Sequence, residues 1–164
     1  MEYVSVFCDT KTGKRTIDKY RIYMNKLAIA NWGSAQQGKS ESIKLVFKFL
    51  SEKYPYTILI DNGDIKAIVE IAGVKVGIES QGDPNSRMSQ SIDDFVSQGC
   101  EIIVCACRSK GDTGKKIFDL KDQGYEVIWT QNDRTIFKNL YSSLNKLYAE
   151  HIVKTIEARI LGAI

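Results

Sequence analysis

The sequence predicts an α/β domain with a mostly parallel sheet, helices on both faces of the sheet and an antiparallel hairpin at one edge. Three observations lead to this prediction. Short apolar runs suited to buried strands alternate with segments in which apolar residues recur at helical spacing. Two β-type runs flank Ala72-Gly73, which predicts the hairpin. The 164 residues suit a single domain that can bury a sizeable core.

The predicted elements follow one another in a regular order. Residues 1–25 precede the core, and strands over residues 3–7 and 20–24 would form an appended hairpin, with a flexible arm as the alternative. Core strands are predicted at residues 26–32, 56–61, 65–71, 74–79, 102–107 and 125–129. Helices are predicted at residues 43–50, 86–98 and 115–121, and a C-terminal helix occupies the region 135–164. One apolar stripe on that last helix comprises Leu140, Leu144, Leu147, Ile152, Ile156 and Ile160, with a break near Ser142-Ser143 left open.

Composition excludes several classes of protein. The net charge is only +3 and the basic residues are dispersed, which argues against nucleic acid or a membrane as a partner. No secretory signal and no apolar run near the roughly 20 residues of a membrane span is visible, so we expect a cytoplasmic protein. Cys8, Cys100, Cys105 and Cys107 lack zinc spacing and are expected to be buried thiols. The single histidine, His151, has no triad partner around it.

The most specific motif is a glycine-rich loop between the first strand and the first helix. It reads G-x-x-x-x-G-K-S and comprises Gly33, Ser34, Ala35, Gln36, Gln37, Gly38, Lys39 and Ser40. The glycines let successive backbone N–H groups point at an anion, and the following helix offers the positive end of its dipole. Lys39, which we expect to be solvent-accessible without a ligand, can reach the β- and γ-phosphates, and the Ser40 hydroxyl can bind Mg²⁺.

On this motif and its strand–loop–helix context, residues 26–133 resemble the P-loop NTPases. The resemblance implies a three-layer αβα sheet of the P-loop type, with residues 1–164 forming one nucleotide-binding domain. It implies ATP or GTP together with Mg²⁺ as ligands. The nucleotide would be held by residues 33–40 and by Glu41 in the first turn of the helix.

A P-loop site also needs a carboxylate near its Mg²⁺. Asp61 ends one apolar run, and Glu79 and Asp83 follow another. The second hairpin strand and the turn after it resemble the switch region of Ras-like small GTPases, with Glu79 and Gly82 at the ends of an Asp-x-x-Gly-type motif. This resemblance implies that Glu79, or Asp83 in its place, acts on Mg²⁺ and that the Gly82 N–H senses the γ-phosphate. Gln81 or Glu79 would position an attacking water.

The weaker resemblance to Ras-like GTPases extends to residue 133 and bears on the base. That family reads guanine with an Asn/Thr-Lys-x-Asp motif after a late strand. Thr130-Gln131-Asn132-Asp133 resembles it, with Gln131 in place of the lysine. The resemblance implies base contacts from Gln131 and Asp133, whereas helix capping by Asn132 or Asp133 explains the same residues equally well. The choice between ATP and GTP stays open.

Two arginines are candidate catalytic residues, because cations stabilise the charge on a transferring phosphoryl group. Arg87 follows the carboxylate cluster, and Arg108 opens a polar loop, residues 108–116, that we expect to be mobile. These features favour a nucleoside-triphosphate hydrolase. One alternative is a P-loop kinase that closes the polar loop over a small-molecule acceptor. Another is a non-enzymatic nucleotide-binding module that offers residues 1–25 and the C-terminal helix to a protein partner.

Overall fold

The computed structural model describes residues 24–164, which form an α/β fold around a six-stranded sheet. The strands are β1 (Lys26–Gly33), β2 (Tyr56–Asp61), β3 (Ile65–Ile71), β4 (Val74–Glu79), β5 (Ile102–Arg108) and β6 (Tyr125–Thr130). The helices are α1 (Lys39–Ser51), α2 (Met88–Ser97), α3 (Asp112–Asp119) and α4 (Tyr141–Ile160), with 3-10 turns at Leu120–Gln123 and Lys138–Leu140. The strands predicted at residues 3–7 and 20–24 lie outside the described residues, apart from Met24.

The strands follow the order β2-β3-β4-β5-β1-β6 across the sheet. β1 is parallel to β5 and β6, and β4 is parallel to β5, whereas β3 is antiparallel to both β2 and β4. The predicted hairpin is therefore present, and Ala72 (φ 49°) and Gly73 (φ 80°) adopt the positive angles that its tight turn requires. Because β1, β4, β5 and β6 run in one direction, their carboxyl ends meet at one edge, where open α/β sheets bind ligands.

Each face of the sheet carries its own hydrophobic core and its own pair of helices. Leu27 and Ile29 of β1 pack with α1 and α4, while Ala28 and Ala30 face α2 and α3. Alternate residues of a strand point to opposite faces, so strands covered on both sides are apolar throughout. This arrangement confirms the predicted mixed sheet between helices. The second core also contains the buried, free thiols predicted for Cys100, Cys105 and Cys107, whereas Cys8 lies outside the described residues.

The C-terminal helix begins later than predicted. Residues 131–140 form an irregular connection with one 3-10 turn, and α4 begins at Tyr141 and continues through Ser142-Ser143 without a break. The predicted apolar stripe is wrong in its first half, because Leu140 and Leu147 are exposed. The helix buries Tyr148, Ala149, Ile152, Val153 and Ile156 instead. In residues 24–164, no helix is both long enough and apolar enough to cross a bilayer.

The segment predicted to be a mobile loop after β5 is mostly helical, so that prediction is wrong. β5 extends to Arg108 and α3 begins at Asp112, which leaves only residues 109–111 as a connection. The backbone N–H of Arg108 donates to the hydroxyl of Thr113 (3.1 Å), and Thr113 is buried. This contact fastens the first turn of α3 to the end of the strand, which polar composition alone does not reveal.

Candidate functional site

The glycine-rich loop joins the carboxyl end of β1 to α1, as the sequence predicts. Gly33 (φ 151°), Gln36 (φ 57°) and Gly38 (φ 73°) have backbone angles that most side chains disfavour. Gly38 precedes α1, whose first N–H groups have no intrahelical acceptor, and no side chain among the described residues caps this helix. Ser34, Ala35 and Gln36 are exposed. The loop therefore places the start of a helix, with the positive end of its dipole, at a solvent-facing rim.

Lys39, the first residue of α1, folds back into this loop. Its ammonium group donates a hydrogen bond to the Ser34 carbonyl oxygen, and the residue is only 8% exposed. The expectation that Lys39 is solvent-accessible is therefore wrong, because the loop closes over the side chain. Burial, followed by the nearby Arg108 guanidinium, lowers the pKa of Lys39. The Asp83 carboxylate opposes this effect by raising the pKa of Lys39, and a bound anion would do the same.

Arg108 brings a second positive charge to the same edge. It is the register partner of Gly33 in the parallel pair β1–β5. Its Nε donates to Asp83 Oδ1 (2.8 Å), and its Nη2 lies 2.6 Å from the same oxygen in an ion pair; the Asp83 side chain is 69% exposed. Arg108 lowers the pKa of Lys39, and Asp83 raises it. Two cationic side chains, Lys39 and Arg108, therefore lie near the single carboxylate of Asp83.

Ser40 reaches the turn that follows β4, although β5 separates β4 from β1 in the sheet. Its hydroxyl donates to the Ser80 carbonyl oxygen (2.8 Å). A Cβ on Gly82 would come within 2.5 Å of the Ala106 backbone, so this turn lies directly on β5 and requires glycine there. The structure thus brings Ser40 and the turn leading to Asp83 together, and it gives Gly82 a packing role.

The Glu79 carboxylate is fully buried and bonded to protein groups. Its Oε2 accepts from the Ser91 hydroxyl (2.6 Å) and from Arg87 Nε (3.0 Å). Its Oε1 accepts from the Gln81 backbone N–H (2.8 Å) and from Arg87 Nη2 (3.2 Å). Because Ser91 belongs to α2, these contacts direct the Glu79 side chain to the α2 face of the sheet, away from the face that α1 covers.

Arg87 makes further hydrogen bonds besides those to Glu79. Its Nη1 donates to Asn62 Oδ1 (2.9 Å), and Nη2 donates to the Asp64 carbonyl oxygen (3.1 Å), so it ties the β2–β3 turn to the end of β4. The Arg87 backbone N–H donates to Gln81 Oε1 (3.2 Å). Glu79, Gln81 and Arg87 therefore form one mutually bonded group that organises the turns around the site.

Two other predicted residues direct no side chain to the loop. Asp61 ends β2, which is four strand positions from β1 and so about 19 Å away. Glu41 is exposed and pairs with Lys44 (2.8 Å) on the solvent side of α1. Within residues 24–164, no group of three or more His, Cys, Asp and Glu side chains is arranged to hold a metal ion.

A buried polar network lies beneath the loop, with Asn132 at its centre. Asn132 Oδ1 accepts from Asn31 Nδ2 (2.6 Å), and its Nδ2 donates to Ser42 Oγ (2.5 Å) and Asn145 Oδ1 (2.8 Å). Ser42 also donates to Asn145 (3.2 Å). The network joins β1, α1, the β6–α4 connection and α4, so Asn132 is a clamp and the capping alternative is wrong for it. Asn31 Oδ1 is buried and has no hydrogen-bond partner within residues 24–164.

The same network brings α4 against the loop. A Cβ on Gly38 would lie 2.5 Å from Asn145 Oδ1. Two features therefore require glycine at this position: its positive φ angle and the close approach of α4.

A cavity of about 200 Å³ opens between the loop and α4. Its walls come from the loop, the β6–α4 connection and α4, and comprise Gln36, Gln37, Gly38, Asp133, Arg134, Thr135, Tyr141, Leu144 and Asn145. The structure thus places Asp133 in the same cavity as the loop. Gln131 is exposed and is not one of the lining residues.

Sequence reasoning missed Asn31, Ser42, Tyr141 and Asn145. A signal existed for Asn31, because an amide within an apolar strand that is covered on both faces needs a buried partner. The other three carry no such signal, since their place in the site depends on where α4 begins and how it packs on α1.

Comparison with known proteins provides no relative for this arrangement. No protein-family model, no curated protein and no solved structure matches the chain. The interpretation of the site therefore rests on the loop motif and on the contacts described above.

Proposed function

We propose that this chain is a Mg²⁺-dependent P-loop protein of the three-layer αβα type that binds a nucleoside triphosphate and hydrolyses it. One observation carries the proposal: a buried lysine ammonium sits inside a glycine loop at an uncapped helix start. Its partner there is the Ser34 carbonyl oxygen, a neutral acceptor. Phosphate oxygens are stronger acceptors for an ammonium group, so a polyphosphate would replace that carbonyl.

Two side chains suit a magnesium ion at this edge. Mg²⁺ at nucleotide sites takes one or two protein oxygens and completes its shell with phosphate and water oxygens. The Ser40 hydroxyl stands at the helix start, and the Asp83 carboxylate is mostly exposed. Glu79 does not suit this role, because both of its oxygens are already bonded to Arg87 and neighbouring groups. When bound, the ion would neutralise part of the phosphate charge.

The charges at the edge suggest how the chain would act on the nucleotide. Lys39 and Arg108 would face the charge that develops on the terminal phosphate. Arg108 would have to release Asp83 to do so, and Asp83 would then be available to the metal. Gln81 and Glu79, the residues predicted to position a water, are bonded to Arg87 instead. We therefore expect slow hydrolysis by the isolated chain.

The kinase alternative loses its main support. Its proposed lid, residues 108–116, would have to move freely over an acceptor, but α3 begins within it and Thr113 anchors it. Only a measurement of nucleotide turnover distinguishes the non-enzymatic alternative from a hydrolase.

The test is a titration of the full chain with ATP and GTP in the presence of Mg²⁺. Lys39→Ala should weaken binding by at least about tenfold, since it removes charge-assisted hydrogen bonds to phosphate. Lys48→Ala removes the same charge from an exposed position of the same helix and should leave binding unchanged. Phosphate release in the parent should require Mg²⁺ and should fall in Arg108→Ala.

Equal nucleotide affinity in the parent and in Lys39→Ala would refute the site. Failure of both nucleotides to bind the parent would refute the binding function. Binding without any phosphate release would leave a nucleotide-binding module and refute hydrolysis.

A further inference from the structure

We infer that the cavity beside the loop holds the nucleoside half of the ligand and that the base stacks on Tyr141. This inference rests on the proposed function, because it takes the phosphates to lie in the glycine loop. It adds a direction to the bound molecule and assigns a role to the start of α4.

The charges around the loop give the ligand its direction. Lys39, Arg108 and Asp83 gather where β5 and the turn after β4 meet the loop. That side suits the terminal phosphate and its metal. The cavity lies where Gln36, Gln37 and Gly38 face α4. A polyphosphate that places its last phosphate at the charged cluster would therefore direct its nucleoside into the cavity.

The cavity has the size and walls that an aromatic ring needs. A cavity of about 150 Å³ accepts benzene, so the 200 Å³ here leaves room for a nucleobase. Tyr141 and Leu144 provide apolar surface from α4, and Asp133, Arg134 and Thr135 provide polar groups from the connection. Sites for small molecules commonly combine apolar walls with a few polar groups in this way.

Tyr141 is the aromatic residue that fits the role of a stacking surface. It is the first residue of α4, it lines the cavity, and it remains 46% exposed. Tyr148 on the same helix is different, because it is buried and its hydroxyl is 2.6 Å from the Thr130 hydroxyl. Tyr148 therefore stabilises the fold, whereas the Tyr141 ring has surface that a ligand can cover.

The position of this wall is set before any ligand arrives. Asn145, one helical turn after Tyr141, is bonded to Asn132 and Ser42, and its Oδ1 would lie 2.5 Å from a Cβ on Gly38. These hydrogen bonds join α4 to α1 and to the β6–α4 connection beside the loop. A pocket that is already formed loses less conformational entropy on binding, so the network beneath the loop would favour nucleotide over free polyphosphate.

The experiment compares a nucleotide with inorganic tripolyphosphate, which carries the phosphates without a base. Both are titrated with Mg²⁺ into the full chain, with ATP or GTP chosen by the tighter affinity. Tyr141→Ala should weaken nucleotide binding by about fivefold or more, the usual effect of removing an aromatic ring stacked on a base. It should leave tripolyphosphate binding unchanged, and Tyr141→Phe should retain nucleotide binding.

Phe137→Ala is the matched control. Phe137 is an aromatic residue four positions earlier, is 61% exposed and is not one of the lining residues, so its loss should not change either affinity. Far-ultraviolet circular dichroism would verify that each variant is folded.

The remaining outcomes separate the inference from the proposed function. If Tyr141→Ala leaves nucleotide affinity unchanged while Lys39→Ala abolishes binding of both ligands, the pocket assignment is overturned and the P-loop function stands. If Tyr141→Ala weakens tripolyphosphate as much as nucleotide, Tyr141 acts on the loop and the stacking role is overturned. If the parent binds neither ligand, both proposals are overturned.

Discussion

Gly38 and Gly99 share a backbone conformation but differ in their surroundings. Their φ angles are 73° and 74°, both in the left-handed region. A Cβ on Gly38 would lie 2.5 Å from Asn145 Oδ1, whereas a Cβ on Gly99 would meet nothing within 4 Å. Replacing each glycine with alanine therefore separates the backbone cost from the cost of crowding α4.

The structure gives a magnitude for each cost. Either substitution places alanine in the left-handed region, which costs about 1–2 kcal/mol. Gly38→Ala must also displace the Asn145 amide, which accepts from Asn132 (2.8 Å) and Ser42 (3.2 Å). At about 0.5–1.5 kcal/mol for each hydrogen bond, this displacement adds about 1–3 kcal/mol. Gly38→Ala should therefore lower the free energy of unfolding by about 2–5 kcal/mol.

Urea unfolding followed by circular dichroism would measure these differences, provided that the slope of the transition is unchanged. The Asn145→Ala background supplies the decisive comparison, because the crowding should vanish there and Gly38→Ala should cost no more than Gly99→Ala. If the two glycine substitutions destabilise the parent equally, α4 does not press on the loop as the structure describes, and the reasoning fails.

Three further substitutions test other parts of the molecule. Asn132→Ala leaves the buried Asn31 amide without a partner and should cost about 1–3 kcal/mol in urea unfolding; adding Asn31→Ala should recover part of that loss. A hydrogen bond from Lys66 lowers the pKa of Asp94 below its usual value of 3.8. The ionised carboxylate therefore stabilises the fold at any pH above 3.8, and this stabilisation is lost as the pH falls through the lowered pKa. Melting temperature should accordingly fall less steeply with acid in Asp94→Asn than in the parent. Gly77→Ala would place a Cβ 2.5 Å from the buried Phe95 ring and should cost about 1–3 kcal/mol, measured by thermal unfolding.

Much of the fold could be predicted from the chain because its signals are local. Apolar runs over residues 26–32 and 102–107 predict strands that the structure extends by only one residue each. The turn at Ala72-Gly73 predicts the hairpin for a similar reason, since Gly73 adopts a positive φ angle readily and so permits a tight turn. The start of α4 could not be predicted this way, because apolar residues at helical spacing also occur in the irregular connection at residues 131–140.

In the candidate site, too, the local sequence predicts some features and contacts between distant residues determine others. Residues 33–40 are consecutive, so their order alone places two glycines, a lysine and a serine around one helix start. The proposed roles of Glu79 and Arg87 depended on the direction of their side chains. The structure pairs these two with each other through two hydrogen bonds, 3.0 and 3.2 Å long, which no local pattern indicates.

Sequence spacing alone therefore establishes the alternation of strands and helices, the hairpin and the glycine loop, because each depends on neighbours a few residues apart. Contacts between distant residues establish the rest: the burial of Lys39, the pairing of Arg108 with Asp83, and the clamp between Asn132 and Asn145. The cavity beside the loop belongs with these, since its walls come from segments about 100 residues apart in the chain. Such segments meet only when the sheet has formed and α4 has packed on α1, so their chemistry is a property of the folded chain.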